Sequence, residues 1–488
     1  MNDVFFSAAG TATCRRTALR KRWSGTGARL LTALILVASA LGTAAQVPDD
    51  PAHEVLPGVT QEQLEPAYWI GRLRGADQTI LGADEIAAHN ARMREREPSL
   101  YLIEQLPATL EAEQVRAWIE AASPRPTRTL YDESGGEGSA RALDRLEAGL
   151  DLKAIPQTQV TRYGLLVRRA NLRTFPTHLR VFSTPDDRDI DRFQESALFP
   201  GTPVAVVHRS RDRRWLFVVS ETYAAWVEAD AVAVGGKDEV FAYARRAPFL
   251  VVTGAQVRTV HTPERPEVSG VVLDMGVRLP LAQWPADEPL NGQHPGFGHV
   301  VELPVRAEDG TLSFARALVP RSADVSRGYL PLTRANLVRQ SFKFLGERYG
   351  WGHRYDARDC SGFVSEIYRS FGLLLPRNTS AQSRSPGLDG VLMDDRTGHE
   401  ERLRLLRQSQ VGDLVYIPGH VMMVLGQVDG NTYVIHDTSG MSLLDDDGAL
   451  RRYHLNGVVV TPLLPLMSDA TTPTVDRITT IRRIRHDR

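Results

Sequence analysis

The spacing of apolar residues gives the segment 46–155 a mostly helical pattern. Apolar positions recur near a 3.6-residue period in two runs of good helix formers, Ala83 to Arg96 and Leu110 to Ala122. Prolines follow both runs, as is common where helices end. The sequence therefore predicts an N-terminal segment built mainly from helices.

Short apolar runs separated by turn residues characterise the segments 156–235 and 236–330. Runs of this length, closely spaced and bounded by Gly, Pro and charged residues, are typical of strands in small barrels. The runs are Val204 to His208, Trp215 to Val219, Ala225 to Val227, Phe249 to Thr253, Val268 to Leu273 and His299 to Leu303. Two small β-barrels in succession are predicted.

Helix and strand patterns are mixed in residues 331–466. Arg334 to Leu345 and Cys360 to Phe371 are candidates for amphipathic helices, and Gly372 is a stop signal for the second. Residues 467–488 are polar and are predicted to be a tail. Strands are predicted at Asp413 to Ile417, Val421 to Leu425 and Thr432 to Ile435. The fold class that results is α+β.

Composition and charge exclude some classes of function but do not identify one. The chain has 488 residues, 42% of them hydrophobic, and 58 basic residues against 59 acidic ones. At about 150 residues per domain, this length favours about three domains. The balanced charge argues against a nucleic-acid partner, which usually requires a basic surplus. No Cys and His spacing resembles a zinc site, so neither a metal nor a cofactor is predicted.

The first 45 residues have the pattern of a signal peptide. Several arginines precede the apolar run Leu30 to Ala45, and small residues at its end favour cleavage before Gln46. The run is shorter than the about 20 residues that a membrane span needs. We expect export to the periplasm or cell envelope, with no stable membrane span after cleavage. An uncleaved membrane anchor is the alternative.

A single cysteine remains after that cleavage, because Cys14 lies in the removed segment and Cys360 does not. Cys360 falls at the first turn of a predicted helix, where free N–H groups and the helix dipole stabilise negative charge. Such a position is expected to lower the pKa of a thiol and make it nucleophilic. Asp359 is placed to cap the same helix. The alternative is a buried structural cysteine.

Two histidines are placed to activate that thiol. His420 begins one predicted strand and His436 ends the next. Adjacent antiparallel strands would bring the two rings side by side. His420 would then take the proton from the thiol of Cys360, and His436 would hold His420 in the useful tautomer.

These residues lie within runs that resemble the NlpC/P60 family of cysteine peptidases. The resemblance rests on Tyr349-Gly350-Trp351-Gly352, Asp359-Cys360-Ser361-Gly362-Phe363, Leu375-Pro376-Arg377 with Gln382, and Gly412-Asp413-Leu414-Val415-Tyr416 leading to His420-Val421. It implies a papain-like fold over about 331–466, in which a helix carries the cysteine and a sheet carries both histidines.

Upstream runs are similar to the bacterial SH3 domains of dipeptidyl-type members of that family. Asn171-Leu172-Arg173 with Phe175-Pro176 and the region Trp215 to Trp226 carry this similarity, and residues 236–330 resemble a second SH3 domain. The resemblance implies cleavage between D-Glu and a diamino acid in peptidoglycan peptides that carry a free L-Ala amine. It also implies substrate contacts from Asp359 and Ser361.

Two further substrate-binding residues follow from the resemblance. Trp351 belongs to the motif, and a tyrosine of the first SH3 domain takes part in the family. By residue type, Tyr223 and Tyr163 are candidates for that tyrosine, and Tyr223 is the one selected.

The sequence departs from the family pattern at His353, where a glycine is common. A loop histidine is favoured there, with a narrowed approach to the cysteine or an extra substrate contact as alternatives. An N-acetylmuramoyl-L-alanine amidase and a non-catalytic, SH3-mediated wall-binding protein remain as alternative functions.

Overall fold

The structure is a computed structural model and describes residues 54–485. The predicted signal peptide, its cleavage point and Cys14 lie outside the described residues. Within residues 54–485, no helix combines the length and the apolar character needed to cross a bilayer.

The N-terminal segment is mostly helical, as its pattern predicts. One helix has the predicted bounds, and the next begins two residues later than predicted. Val115 and Ile119 of this second helix are fully buried in one cluster with Trp226 of the following unit. This helix therefore packs against that unit. The elements are β1 (Glu54–Leu56), β2 (Val59–Thr60), α1 (Pro66–Ile70), β3 (Thr79–Leu81), α2 (Ala83–Arg96), β4 (Thr109–Glu111), α3 (Ala112–Ala122) and α4 (Ala140–Gly149).

The next unit is an antiparallel sheet of seven strands in the order β12-β6-β9-β10-β11-β7-β8. Its strands are buried on both faces: alternate residues enter two different core clusters. An additional short strand, β5, pairs with β4 of the helical segment. The strands are β5 (Thr158–Val160), β6 (Arg162–Leu166), β7 (Ala170–Arg173), β8 (Gln194–Leu198), β9 (Pro203–Arg209), β10 (Trp215–Val219), β11 (Ala224–Glu228) and β12 (Val232–Gly235).

A smaller β unit follows, with a core of its own. Its strands form one sheet in the order β16-β13-β19 and two hairpins, β14-β15 and β17-β18. The elements are α5 (Lys237–Arg245), β13 (Phe249–Val252), β14 (Gln256–Arg258), β15 (Val272–Asp274), β16 (Arg278–Pro280), β17 (Gly298–Arg306), β18 (Leu312–Pro320) and β19 (Val325–Arg327).

The strand predicted at Val268 to Leu273 is wrong over its first four residues. Residues Pro266–Val268 form a 3-10 turn, and only Val272–Asp274 is a strand. The Thr259 hydroxyl donates to the carbonyl of Val268 and accepts from the N–H of Val271. A side chain thus takes the hydrogen bonds that a neighbouring strand would otherwise provide.

The C-terminal unit is an antiparallel sheet of six strands, in the order β21-β26-β22-β23-β24-β25, with helices on both faces. Phe363 and Ile367 of α7 share a buried cluster with Val421 and Met423 of β23. The elements are β20 (Leu332–Thr333), α6 (Arg334–Phe342), α7 (Cys360–Arg369), α8 (Thr379–Arg384), β21 (Gly390–Leu392), α9 (His399–Arg407), β22 (Leu414–Ile417), β23 (His420–Val428), β24 (Asn431–Leu444), β25 (Leu450–Pro462) and β26 (Thr480–Arg482).

The predicted polar tail at 467–488 is wrong for its described part. Strand β26 lies inside the sheet, paired with β21 on one side and with β22 on the other. Val475, Ile478 and Ile481 are buried in the core cluster on the α9 face of the sheet. Widely spaced apolar residues in a polar segment thus provide enough burial to fix a strand.

Candidate active site

Cys360 is the first residue of α7, and Asp359 caps that helix. An Asp359 carboxylate oxygen accepts the N–H of Gly362 at 2.8 Å. The other oxygen accepts the N–H of Gly352, in the preceding motif, at 3.0 Å. Asp359 therefore ties the helix start to the turn before it, which is the local reason that Cys360 stands at a helix N-terminus.

A buried arginine holds the residues on both sides of Cys360. Arg377 donates to both carboxylate oxygens of Asp359, at 3.1 and 2.8 Å, and to the hydroxyl of Ser361 at 2.9 Å. Burial alone would raise the pKa of Asp359, but Arg377 and the hydrogen bonds lower it to about 2. Asp359 and Ser361 are only 7% and 3% exposed. Their direct contact with substrate stays a prediction.

The sulfur of Cys360 lies between α8 and the turn that precedes β23. Its Sγ atom is 3.5 Å from the hydroxyl of Thr379 and 4.0 Å from the carbonyl oxygen of Gly419, the residue before His420. Within residues 54–485, no hydrogen bond joins this sulfur to an imidazole ring. The thiol is thus packed beside the strand that carries His420 without an ion pair to it.

The electrostatics of Cys360 differ from the sequence-based expectation. Burial, with the charge of Asp359 as the next cause, raises the pKa of this thiol to about 12. Hydrogen bonds from Thr379 and from the N–H of Val421 act in the opposite direction and are weaker. The predicted lowering of the pKa is therefore wrong for this closed site, because desolvation outweighs the helix N-terminus.

His420 and His436 lie side by side, as the order of their strands predicts. Strands β23 and β24 are paired, and His420 Nε2 is 2.8 Å from His436 Nδ1. His436 Nε2 is 3.0 Å from the hydroxyl of Thr461 on β25. Burial lowers the pKa of His420 to about 4 and that of His436 well below its ordinary value. Both rings are neutral at pH 7, which suits a proton acceptor and its orienting partner.

Tyr349 places a phenol near Cys360. Its side chain is 7% exposed, and burial raises its pKa, with further contributions from the nearby charges of Cys360, Asp359 and Asp437. The phenol therefore keeps its proton and can donate a hydrogen bond beside the thiol. The sequence pattern included this residue in a motif without assigning it a role.

The seven-stranded unit reaches the site through β8. Ser196 accepts a hydrogen bond from Arg377 at 2.7 Å. The neighbouring Glu195 accepts one from the hydroxyl of Tyr223 at 2.5 Å and one from Thr174 at 2.5 Å. Burial, then the charge of Glu195, raises the pKa of Tyr223. A carboxylate on the strand that contacts Arg377 is therefore a further candidate, and no sequence pattern had indicated it.

The other candidates from the sequence occupy different positions. Trp351 is half-buried, and its ring lies 5.7 Å from the guanidinium of Arg192. Tyr163 is 5% exposed and packs edge-on against Phe241 in the core. Of the two tyrosines, only Tyr223 lies near Arg377.

His353 lies in an irregular turn, but its side chain is buried rather than exposed as in a simple loop. Arg377 donates to its Nδ1 at 2.9 Å, so its Nε2 carries the proton and donates to Glu366 at 3.1 Å. A side chain at Gly362 would place its Cβ 2.5 Å from the His353 ring. The glycine of the Asp-Cys-Ser-Gly motif therefore provides the space in which this histidine packs.

The chain of buried charges continues from Glu366 to the second β unit. Arg358 donates to Glu366 at 2.8 Å and to Asp274 at 2.9 Å. Arg169, from the first β unit, reaches the other oxygen of Asp274 at 3.3 Å and the carbonyl of His353 at 3.1 Å. All three folded units thus contribute charge to the segment that leads into Cys360.

Among the described residues, no group of three or more His, Cys, Asp or Glu side chains is arranged to hold a metal ion. The geometry instead places a thiol beside the turn that leads into His420, with a phenol nearby and the two neutral imidazoles paired on adjacent strands. That set suits acyl transfer through a covalent intermediate.

Two parts of the chain match known protein families. Residues 346–457 match the NlpC/P60 family, and residues 180–228 match an SH3 domain of the SH3b1 type. The first match covers the cysteine and both histidines, and the second covers β8 to β11. A second SH3 domain is not among these matches, so the segment 236–330 keeps that interpretation as a prediction.

One curated relative and one solved structure are similar over long stretches. The relative is a gamma-D-glutamyl-L-lysine dipeptidyl-peptidase of Bacillus cereus, 26% identical over 261 residues. That alignment covers 49% of this chain and 66% of the relative. The structure is an NlpC/P60 endopeptidase from Photobacterium damselae subsp. piscicida, 17% identical, with a TM-score of 0.66. It covers 85% of this chain and 94% of the other, which shows a shared fold.

The mixed α+β architecture, with a helix that begins at Cys360 packed on a sheet that carries both histidines, is consistent with these matches. The chain therefore contains an NlpC/P60 domain at residues 346–457 and, ahead of it, an SH3 domain of the SH3b1 type at residues 180–228.

Proposed function

We propose that the protein is a cysteine peptidase that cleaves the bond between D-Glu and the diamino acid in peptidoglycan peptides. The observation that carries this proposal is Cys360 at the head of α7, beside the strand that presents the His420–His436 pair. The name of the Bacillus cereus relative supports the choice of bond. A cell-wall substrate also implies action outside the cytoplasm.

The reaction begins from a neutral thiol and a neutral imidazole. His420 takes the proton of Cys360 as the sulfur attacks the γ-amide carbonyl, so that the S–C bond forms while charge moves to the carbonyl oxygen. The N–H of Cys360 at the helix start and the phenol of Tyr349 are the donors for that oxygen. His420 then gives its proton to the leaving amine as the C–N bond breaks, and water hydrolyses the thioester.

Glu195 is proposed to bind the free amino terminus of the substrate. Its carboxylate lies one residue from Ser196, which is joined to Asp359 and hence to the Cys360 helix through Arg377. Tyr223 fixes the carboxylate by a hydrogen bond. A carboxylate fixed in this way favours a substrate with an ammonium group over one whose amine is acylated.

The test is incubation of the wild-type protein and Cys360→Ala with L-Ala-γ-D-Glu-diamino acid and with its N-acetylated form. We expect the wild type to release L-Ala-D-Glu from the free peptide only, and Cys360→Ala to release none while it keeps the wild-type unfolding midpoint. Cleavage by Cys360→Ala would overturn the role of the thiol.

A muramyl peptide that is still linked to its glycan distinguishes the proposed peptidase from an N-acetylmuramoyl-L-alanine amidase. Release of the intact peptide from the muramic acid would identify an amidase and would contradict the proposed bond. In Glu195→Gln, loss of the preference for the free amine is the result expected if the carboxylate binds the ammonium group.

A further inference from the structure

A cavity of about 290 Å³ lies beside the two active-site histidines and away from the SH3 side of the site. His420 and Met422 of β23 and His436 of β24 form one wall of the cavity. The turn at Ile417 and Pro418 is also part of its lining. Because the cavity is lined by both imidazoles, a group held in it is next to the proposed proton donor.

The charge of this cavity is positive. Arg452 on β25 and Arg477 after β25 line it, and none of its lining residues is an aspartate or glutamate. Both side chains are exposed. Within the described part of the chain, neither guanidinium takes part in an ion pair or a side-chain hydrogen bond. Two cations without carboxylate partners in one cavity favour an anionic ligand.

The rest of the lining suits a flexible chain that ends in a polar group. Met422, Met441 and Leu466 supply apolar surface. Ser442 and Ser468 supply hydroxyls, and Ser442 is paired directly across the sheet with Arg452. A short methylene chain can lie on the apolar side chains while a carboxylate at its end reaches the arginines.

The chemistry of the proposed reaction decides which part of the substrate lies there. His420 must protonate the leaving amine, so the residue that carries this amine has to be next to His420 in the transition state. The SH3 side of the site, with Glu195 and Tyr223, is assigned to the amino-terminal part of the substrate. The cavity beside His420 and His436 is therefore the remaining place for the diamino acid that is released.

We propose that this cavity binds the leaving diamino acid and that Arg452 and Arg477 recognise a carboxylate on it. The inference rests on the proposed function and extends it to the leaving side of the bond. A diamino acid can offer this group as its α-carboxylate or, in a diaminopimelate-type residue, as a second carboxylate at the end of its side chain. A lysine residue offers only the first.

The test compares four tripeptides that share L-Ala-γ-D-Glu and differ in the third residue. These end in diaminopimelate, in diaminopimelate amidated on the side chain, in diaminopimelate amidated at the α-carboxyl, and in lysine. For the wild type we expect kcat/KM to fall by about tenfold on amidation of the recognised carboxylate, the size of effect that one charge-assisted contact gives. In the double variant Arg452→Gln/Arg477→Gln this difference is expected to disappear.

Arg451→Gln is the matched control, because Arg451 is the neighbouring exposed arginine on β25 but does not line the cavity. Its guanidinium lies 5.1 Å from the ring of Tyr453 instead. This variant should keep the wild-type preference.

The possible outcomes separate the two proposals. A wild-type protein that is indifferent to both amidations, or a double variant that keeps the wild-type preference, overturns the inference and leaves the peptidase assignment intact. Failure of the wild type to cleave any of the four peptides overturns the proposed function itself. Dependence on one carboxylate identifies which of the two sources is recognised.

Discussion

At the scale of single residues, the surroundings of Cys360 matter more than its place on a helix. The thiol, at the helix N-terminus, is only 6% exposed and lies beside the carboxylate of Asp359. Both conditions oppose a resting thiolate. His420 is neutral for the same reason, since burial disfavours its charged form. In the proposed mechanism, proton transfer therefore belongs to the step in which the substrate is attacked.

The pH dependence of alkylation tests this resting state. The pKa of Cys360 is raised to about 12, so its thiolate fraction increases with pH over the whole range in which the protein is handled. We expect the rate of iodoacetamide modification to rise about tenfold per pH unit from pH 6 to pH 9 without a plateau. A plateau below pH 7 would show a preformed thiolate and contradict this prediction.

We expect the decrease of kcat/KM at acid pH to follow the protonation of His420. Its pKa is lowered to about 4, so the ring becomes protonated only as the pH falls to about that value and is a free base above it. When kcat/KM on the tripeptide is measured as a function of pH, we therefore expect it to be level from pH 8 to about pH 5 and to decrease below that.

The positions of several candidate residues could be predicted from the sequence, and those of others could not. The positions of Cys360 and His420 could be predicted because each begins a strongly patterned element, and that of His436 because it follows the apolar run Thr432 to Ile435, although β24 continues to Leu444. Glu195 could not, because it reaches the site only through packing of β8 against the turn before Cys360, and no local pattern reports such a contact. Burial of the thiol could not be predicted from the sequence either, since it depends on Thr379 and Gly419 from distant segments.

At the scale of elements, Arg377 fixes the start of α7. Its guanidinium binds Asp359, Ser361, His353 and Ser196, which belong to the helix, the preceding turn and β8. A planar group with five donors can satisfy all of these partners, whereas an ammonium with three donors cannot. The capped helix therefore depends on a residue outside it.

Arg377→Lys is expected to weaken both the fold and the site. The lysine ammonium keeps the positive charge but has fewer donors, so some buried partners of Arg377 are left without a hydrogen bond, at a cost of about 1 to 3 kcal/mol of unfolding free energy. Urea unfolding should show a lower midpoint, and kcat/KM on the tripeptide should fall by at least about tenfold.

Arg384→Lys on α8 provides the matched control, because Arg384 is exposed. It should behave like the wild type. Equal unfolding midpoints for the two variants would show that the network around Arg377 contributes nothing to the stability of the helix start.

Helices and strands could be predicted well where periodicity was regular. The bounds of α2 and β10 agree with the predicted ones, because each is a continuous patterned run between clear stop signals. The prediction failed at Val268, where the side chain of Thr259 replaces a strand partner. It also failed at β26, where three spaced apolar residues were too few to be recognised within a polar segment.

At the scale of the molecule, the two β units meet the NlpC/P60 domain at a shared set of buried charges. Asp274 of the second unit contacts Arg169 of the first and Arg358 of the third. Because Asp274 and Arg358 are almost completely buried, the three units cannot separate without exposing or isolating these charges. The alignment with the Bacillus cereus relative extends beyond the NlpC/P60 domain, in keeping with such an arrangement.

Asp274→Asn tests whether this junction supports the site. We expect a loss of about 3 kcal/mol in unfolding free energy, since two buried guanidiniums lose a shared negative charge. Activity should also fall, because Arg169 and Arg358 hold the segment that leads into Cys360. Urea unfolding and kcat/KM are the measurements.

Asp287→Asn, at an exposed position of the same unit, should change neither quantity. A wild-type unfolding curve for Asp274→Asn would contradict a supporting role for the junction.

Strand β26 has a consequence for how the protein is made. Strand β22 gains its second neighbour only when residues 480–482 are in place, so the sheet beneath Cys360 is completed by the segment that follows residue 466. A gene shortened at the apparent domain boundary near residue 466 would yield a sheet with an unpaired inner edge and a tendency to aggregate.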